Sequence, residues 1–464
     1  MIRPLYFVIM LCAVTVAGYL SAFRGDFHYD DLSAILNNPH LDRWQTFVGH
    51  LDHMVRPVLY ATFLLDRSLY GGSATGYHLL NLLLHLGSGL LVYLILTRAV
   101  MEKTQSVPFW TALLFLIHPI QTETVTYISG RASGLMTVFY LSALFLYIKA
   151  SEHGAAESLR RLYLSGAIAS FLLSIGSKET AVTFPVMLLL WDALIRRLKG
   201  PSLRAAFSSR HRTFWVVLLF VAAWALTHPR YAALAQYSLN IRPFWENLLS
   251  ELHAMAYALL LFFSPWKQNF DHDLPEFHSL LQWPLPFDLL LLFGMAAVTL
   301  VAARRLPLVA FGLSWFFIQL LPTSLVPRND LLSERNLYLP SIGLLLAIVS
   351  LGSHFAHWLT TILPRPRLVW FSATSLAALL VVVLCISTYQ RNGLYRDQIS
   401  LWSDAVLKSP NKARPHNNLG RAYALQGDWD RAIEEFRIAV QLDPDFLLAQ
   451  QNLRNAYLHQ VGRQ

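Results

Sequence analysis

Charge is scarce in this chain. Only 14% of its 464 residues are Asp, Glu, Lys or Arg, against about a quarter in an ordinary soluble domain. The shortage is uneven. From Met1 to Thr388 long apolar runs alternate with short charged loops; from Gln390 to Gln464 charge returns and the runs stop. That pattern excludes a single soluble globule and predicts a membrane-embedded domain over residues 1–389 and a small water-soluble one over 390–464. Cysteine is scarcer still. Cys12 and Cys385 lie far apart, each inside an apolar run, so neither a disulfide framework nor a thiolate metal site is available. The net charge of +9 does not point to nucleic acid. The Lys and Arg residues sit mainly in loops between apolar runs, as in the cytoplasmic loops of membrane proteins.

Eleven runs are long enough to be read as spanning helices: 4–23, 76–97, 108–123, 132–150, 161–176, 179–195, 213–228, 285–303, 306–326, 339–359 and 368–389. The first has no charge over a bilayer-spanning length and no small-residue cleavage site after it, so it reads as an uncleaved helix. Basic clusters set the cytoplasmic side. The strongest runs from Arg196-Arg197-Leu198-Lys199 to Arg210-His211-Arg212, with six Lys or Arg and no acid; Arg160-Arg161, Arg304-Arg305 and Arg365 with Arg367 agree with it. A twelfth apolar stretch, Leu248 to Ser264, carries Glu251 and His253. Crossing there would break the parity of the basic loops, and ionisable groups are costly at mid-bilayer, so an interfacial or re-entrant helix is expected. The segment Arg56–Tyr70 is expected to lie on the outer surface. The N-terminus is then cytoplasmic and the C-terminal tail is on the opposite side.

The tail carries a repeat. In residues 413–446, Leu419, Gly420, Tyr423, Gly427, Ala432, Phe436, Ala439 and Pro444 fall at tetratricopeptide (TPR) spacings. Trp402, Ala405 and Pro410 precede Phe436, Ala439 and Pro444 by one 34-residue period, and Leu453 and Tyr457 start a third unit. About two and a half repeats is near the minimum for a stable solenoid, so the module is expected to bind an acceptor peptide, a partner protein or its own bundle.

The outer loops hold the chemistry. Asp30 and Asp31 follow the first span in Phe27-His28-Tyr29-Asp30-Asp31. They fit a solvated loop with a helix N-cap, a general base for attack by a hydroxyl, or half of a metal site. His118-Pro119 with Glu123 and Gly130-Arg131, the turn Ser177-Lys178-Glu179-Thr180, and Ser333-Glu334-Arg335-Asn336 each set a cation beside a carboxylate. Each is a local ion pair at a helix end or part of a shared anion site; Arg56, Arg131, Lys178 and Arg335 together would suit a phosphate or pyrophosphate. His78, Asn81 and His85 share one helical face, read first as helix–helix hydrogen bonding. Asp271-His272-Asp273 reads as a solvated loop before a metal site.

At these residues the chain resembles the transmembrane and TPR-containing family of membrane O-mannosyltransferases in the GT-C class. The resemblance runs through Tyr29-Asp30-Asp31, Asn37-Asn38-Pro39, Arg56-Pro57, Gly76-Tyr77-His78 to His85, His118-Pro119 to Gly130-Arg131, Ser177-Lys178-Glu179-Thr180 and Glu334-Arg335-Asn336-Leu337-Tyr338-Leu339-Pro340-Ser341, ahead of the repeats. It implies an all-α fold: a GT-C bundle of about eleven spans, then a short TPR solenoid. It implies a polyprenyl- or dolichyl-phosphate sugar as donor and inverting transfer to a protein Ser or Thr. Asp30 would be the base with Asp31 in support. Arg131, Lys178, Arg335 and Arg56 would hold the phosphate, and His118, Glu123, Glu179, Glu334 and His78 would support them. No cofactor is fixed by the sequence; a divalent cation is the one candidate. Animal members have many repeats and this chain has fewer than three, which suggests a bacterial inner membrane with a periplasmic tail, or an endoplasmic-reticulum membrane in a eukaryote. A ligase of lipid-linked oligosaccharides and a non-catalytic membrane anchor presenting TPRs are the alternatives.

Overall fold

The computed structural model describes residues 2–100, 106–152 and 156–461, and among these every regular element is helical. The longer helices are α1 (Ile2–Tyr19), α2 (Pro57–Tyr70), α3 (Ala74–Ala99), α4 (Ser106–Ile117), α5 (Arg131–Ser151), α6 (Glu157–Ser177), α7 (Phe184–Leu190), α8 (Arg212–Thr227), α9 (Pro229–Ile241), α10 (Phe244–Phe263), α11 (Leu285–Arg305), α12 (Pro307–Leu325), α13 (Tyr338–Ile362) and α14 (Pro366–Gly393). The tail adds α15 (Gln398–Lys408), α16 (Ala413–Leu425), α17 (Trp429–Leu442) and α18 (Leu447–Val461).

Among the described residues, seven unbroken helical segments are long and apolar enough to cross a membrane: 5–24, 74–99, 128–151, 285–305, 307–325, 334–362 and 366–396. The other four expected spans are helical but do not qualify singly. The run 108–123 breaks at His118-Pro119, leaving α4 with 12 residues. The run 161–176 folds within α6, whose start holds Glu157, Arg160 and Arg161. The run 179–195 is divided between a 3-10 turn, α7 and a π turn. The run 213–228 is α8, which bends by 81° into α9; counting that pair as one span gives eight. Segment 248–264 lies in α10 and is not among the qualifying helices.

Packing explains which faces are apolar. α5 lies against α6 and α3, and α12 against α13. The α12–α13 crossing is so close that a side chain on Gly312 would meet the Gly343 carbonyl at 2.4 Å. Only glycine allows two membrane helices to approach in this way. The outer helices are different. On α8, α11 and α14, residues such as Phe220, Leu300, Val301 and Phe371 are largely exposed. Apolar surface of this extent on several long helices is what a bilayer covers, and the chain is an integral membrane protein.

His78, Asn81 and His85 on α3 do bridge elements. They bond to the Gly25 carbonyl (3.2 Å), the Val125 carbonyl (3.2 Å) and, for His85, both the Tyr338 hydroxyl (2.7 Å) and the Leu116 carbonyl (2.9 Å). The segment 57–70 is one helix, α2, packed on α3 and α6. Helix α9 and the residue that caps it tie two loops together: His228 and Tyr231 bond to the Asp52 and Val55 carbonyls, and Ser238 to that of Pro327.

In the tail Gly420 sits under the Phe436 ring, 2.8 Å from where a Cβ would be, and Ala432, Ile433, Phe436 and Ala456 form the core between α17 and its neighbours. The boundary expected near Tyr389 falls inside α14, which continues four residues further. The tail is docked on the bundle. Arg414 and Lys412 pair with Asp271 and Asp330, Lys408 donates to the Gln268 carbonyl (2.6 Å), and Asn269 donates to Ser409 Oγ (2.7 Å). The stretch Asp271-His272-Asp273 is therefore not the solvated loop expected. Asp271 and His272 are buried under the tail.

Candidate active site

The loop after α1 is held at two adjacent residues. Asp31 is fully buried. Its carboxylate accepts from the His28 N–H (2.9 Å), from the Ser129 N–H (2.7 Å) and from the Ser129 hydroxyl. Burial pushes its pKa up to about 7 against the pull of those three bonds. This clamp fixes the loop to the turn before α5. Asp30, next in the chain, donates its N–H to the Tyr127 hydroxyl (3.0 Å) and leaves its carboxylate half exposed. The two acids therefore divide. Asp30 faces an open cavity; Asp31 does not reach it, contrary to the expectation of a carboxylate pair at one site.

The cavity has a volume of about 790 Å³. Asp30, Arg56, Lys178, Glu179, Arg328, Asp330 and Arg335 line it, from the α1–α2, α6–α7 and α12–α13 connections. Arg335 is positioned by Glu123: its N–H donates to Glu123 Oε2 (2.9 Å), its guanidinium lies 3.6 Å from Glu123 Oε1, and Ser333 donates to that same oxygen (2.9 Å). The Arg335 guanidinium also lies 3.8 Å from Asp30 and 5.6 Å over the Tyr127 ring. Burial raises the Glu123 pKa, against the pull of Arg335.

Lys178 is a different kind of cation. It is buried, and its Nζ donates to two neutral oxygens, Ser133 Oγ and Asn336 Oδ1, each at 2.8 Å. Burial first, and then repulsion from Arg56 and Arg335, holds its pKa well below the ordinary lysine value. Arg56 grips Glu179 with two bonds (2.9 and 2.5 Å). Burial would raise the Glu179 pKa, yet that grip brings it down to about 2. One wall of the cavity is apolar: Leu59, Tyr60 and Phe63 of α2 face Pro322 and Leu325 at the end of α12.

Other expected site residues stand elsewhere. Arg131 does not reach the cavity. It is 1% exposed, pairs with Asp66 at 2.6 Å and donates to Asn81, Thr62 and the Tyr77 carbonyl. His118 is a buried cap. Its Nδ1 accepts from the Ile120 N–H (3.2 Å) and its ring stacks on Phe262 at 4.3 Å. His78 touches Gly25 behind the loop. Glu334 points away from its neighbour Arg335, accepting from the Asn269 N–H (2.6 Å), bonding to His272 (3.0 Å) and facing Arg391 at 3.9 Å. Sequence reading missed Arg328, Asn336 and Ser133. Arg328 adjoins Asn329-Asp330, and that cation–carboxylate spacing was its only signal. Among the described residues no group of three or more His, Cys, Asp or Glu side chains is arranged to hold a metal ion.

Three comparisons bear on this arrangement. The tetratricopeptide-repeat family profile matches residues 413–446. Nearly the whole chain is similar to protein O-mannosyl-transferase F38B6.6 of Caenorhabditis elegans, 25% identical over 95% of this chain and 63% of that protein. It is also similar to protein O-mannosyl-transferase Tmtc3 of Drosophila melanogaster (26%; 98% and 57%) and protein O-mannosyl-transferase TMTC1 of Homo sapiens (25%; 96% and 56%). The chain thus resembles the family named from its motifs, and spans between half and two thirds of the length of these relatives. A looser likeness links it to the crystal structure of an Archaeoglobus fulgidus oligosaccharyltransferase tethered with an acceptor peptide, with a TM-score of 0.44 and 13% identity over 87% of this chain and 56% of that one.

Proposed function

We propose that this chain is a GT-C-class membrane glycosyltransferase that moves a sugar from a polyprenyl- or dolichyl-phosphate to a protein Ser or Thr hydroxyl. The name of its relatives supports mannose as the sugar and protein as the acceptor. The observation that carries the reading is the shared cavity: of the three carboxylates that line it, Glu179 is bonded to Arg56 and Asp330 to Arg414 and Lys412, whereas Asp30 only faces Arg335 at 3.8 Å, in a chamber that also holds Lys178 and Arg328. In this reading Asp30 takes the acceptor proton as the hydroxyl oxygen attacks the anomeric carbon. The bond from that carbon to the phosphate oxygen breaks on the opposite face, giving inversion. The lipid phosphate leaves with an added negative charge, which Arg335, Lys178 and Arg328 stabilise. Arg56, neutralised by Glu179, shapes the wall. The apolar flank formed by α2 and the end of α12 suits the first isoprene units. The basic loops support a reading in which this face and the tail are periplasmic or lumenal and the N-terminus is cytoplasmic.

Donor trials decide the reading. The purified protein in lipid nanodiscs is expected to label a Ser/Thr peptide from a polyprenyl-phosphate monosaccharide. Labelling only from a pyrophosphate-linked oligosaccharide would make it a ligase. No transfer from either, with phenotypes confined to tail variants, would make it an anchor.

Lys178 gives this reading a pH signature. A bound phosphate favours the charged ammonium, so donor binding takes up a proton wherever free Lys178 is neutral. Because its pKa is depressed in the free protein, donor affinity is expected to fall as pH rises, starting below the ordinary lysine range, by up to about tenfold per pH unit. Lys178→Arg cannot titrate in that range and should flatten the profile of donor KM against pH. An unchanged slope in the variant would assign the effect to another group.

A further inference from the structure

Asp30 stands between two hollows. One is the cation-lined cavity. The other is a recess of about 30 Å³ walled by Tyr29, Glu123, Tyr127, Phe270, Trp402 and Arg414, with room for water and none for a peptide. Trp402 and Arg414 come from the tail. Tyr29, immediately before Asp30, has φ +43°, a left-handed backbone that a bulky residue adopts only where its surroundings enforce it. Here the enforcing contacts come from the tail and the loop beneath it. The Trp402 ring meets Tyr29 edge-on at 5.7 Å, Phe270 does so at 6.4 Å, and the Arg414 guanidinium lies 5.9 Å over it. Trp402 and Phe270 in turn brace each other at 5.3 Å.

We infer that Trp402 is a positioning residue for Asp30: the first tail helix is a working part of the transfer site, acting through the ring of Tyr29. The inference rests on the glycosyltransferase reading above. It does not follow from docking alone, because other contacts fasten the tail to the bundle. Arg414 and Lys412 hold Asp271 and Asp330, and Arg391 at the end of α14 holds Asp404 of α15 at 2.8 Å. With those in place, loss of the aromatic contact releases Tyr29 and Asp30 without releasing the tail. Asp31 and Ser129 anchor the loop on one side of Asp30; Tyr29 and Trp402 anchor it on the other.

The test is steady-state transfer to a Ser/Thr peptide by the full-length protein carrying Tyr29→Ala, Tyr29→Phe, Trp402→Ala or Trp402→Phe. Both alanine variants are expected to lose about 10- to 100-fold in kcat, the scale of a misplaced catalytic group. Donor KM should stay within about twofold of wild type, and the phenylalanine variants should regain most of kcat. Trp402 also packs in the tail core beside Ala405 and Leu419, so if Trp402→Ala does not fold, Tyr29→Ala decides. An unimpaired Tyr29→Ala overturns the inference, as does a parallel loss of kcat, donor KM and thermal stability. Absence of transfer by the wild-type protein in the same assay would instead overturn the glycosyltransferase reading itself.

Discussion

Asp30→Asn is expected to abolish sugar transfer while leaving the protein folded. A general base contributes about 10²- to 10⁴-fold, and asparagine cannot accept a proton from a hydroxyl. The stability side is equally specific. The Asp30 carboxylate is half exposed, its one close charged neighbour is Arg335 at 3.8 Å, and it is the backbone N–H that bonds to Tyr127. Neutralising it leaves no buried donor without an acceptor, so thermal unfolding should move by no more than about 0.5 kcal/mol. Asp31→Asn should behave in the opposite way. Three hydrogen bonds converge on that buried carboxylate, and an amide has one acceptor oxygen and turns two hydrogens toward donors. Loss of about 1–3 kcal/mol is expected, with a reduced yield of folded protein and, in the fraction that folds, residual transfer. The measurements are transfer to peptide and thermal unfolding followed by tryptophan fluorescence. Full activity in Asp30→Asn would move the base elsewhere in the cavity.

That contrast marks where sequence reading stopped. Two adjacent acids after a helix announce chemistry, but sequence cannot say which one the fold will bury. That depends on Ser129, 98 positions on. The same holds for the cations. Lys178 and Arg335 line the cavity as the motifs suggested, whereas Arg131, of the same type and in the same kind of loop, is paired with Asp66 of α2. A cation buried against a distant carboxylate and one that lines a cavity look alike in one dimension. The tail was more legible because TPR packing is local: Gly420 and Phe436 meet across one helix turn-around, and a 34-residue period records it directly. Its contribution to the candidate site was not legible, since Trp402 is also a plain repeat-core residue. The breaks inside some apolar runs were hidden for a related reason. Hydropathy sees a continuous apolar run at 108–123, and the break at His118-Pro119 appears only when His118 caps the turn that follows.

The second large effect concerns Arg131. Arg131→Met is expected to destabilise the protein by about 3–5 kcal/mol, because it strands a buried carboxylate. Asp66 is 2% exposed and Arg131 is its ion-pair partner, stacked 4.8 Å over Phe63. The pH dependence has a definite sign. Without the guanidinium, burial raises the Asp66 pKa in the folded state above its unfolded value. The folded variant then binds a proton that the unfolded chain does not, so its stability should recover as pH falls toward the ordinary carboxylate range. The full penalty should appear above the raised pKa. The double variant Arg131→Met with Asp66→Leu removes both charges and fills the space with apolar atoms, and such replacements of buried pairs are often neutral. It should unfold near the wild-type temperature. It also separates the two roles that sequence allowed for this arginine. If Arg131 only braces α2 against α3 and α5, the double variant keeps its donor KM, because Lys178, Arg328 and Arg335 still line the cavity. If instead the stable double variant shows a donor KM raised tenfold or more, a loss of about 1.4 kcal/mol of binding, then Arg131 reaches the donor phosphate in a conformation other than this one, and the anion site extends behind Ser133.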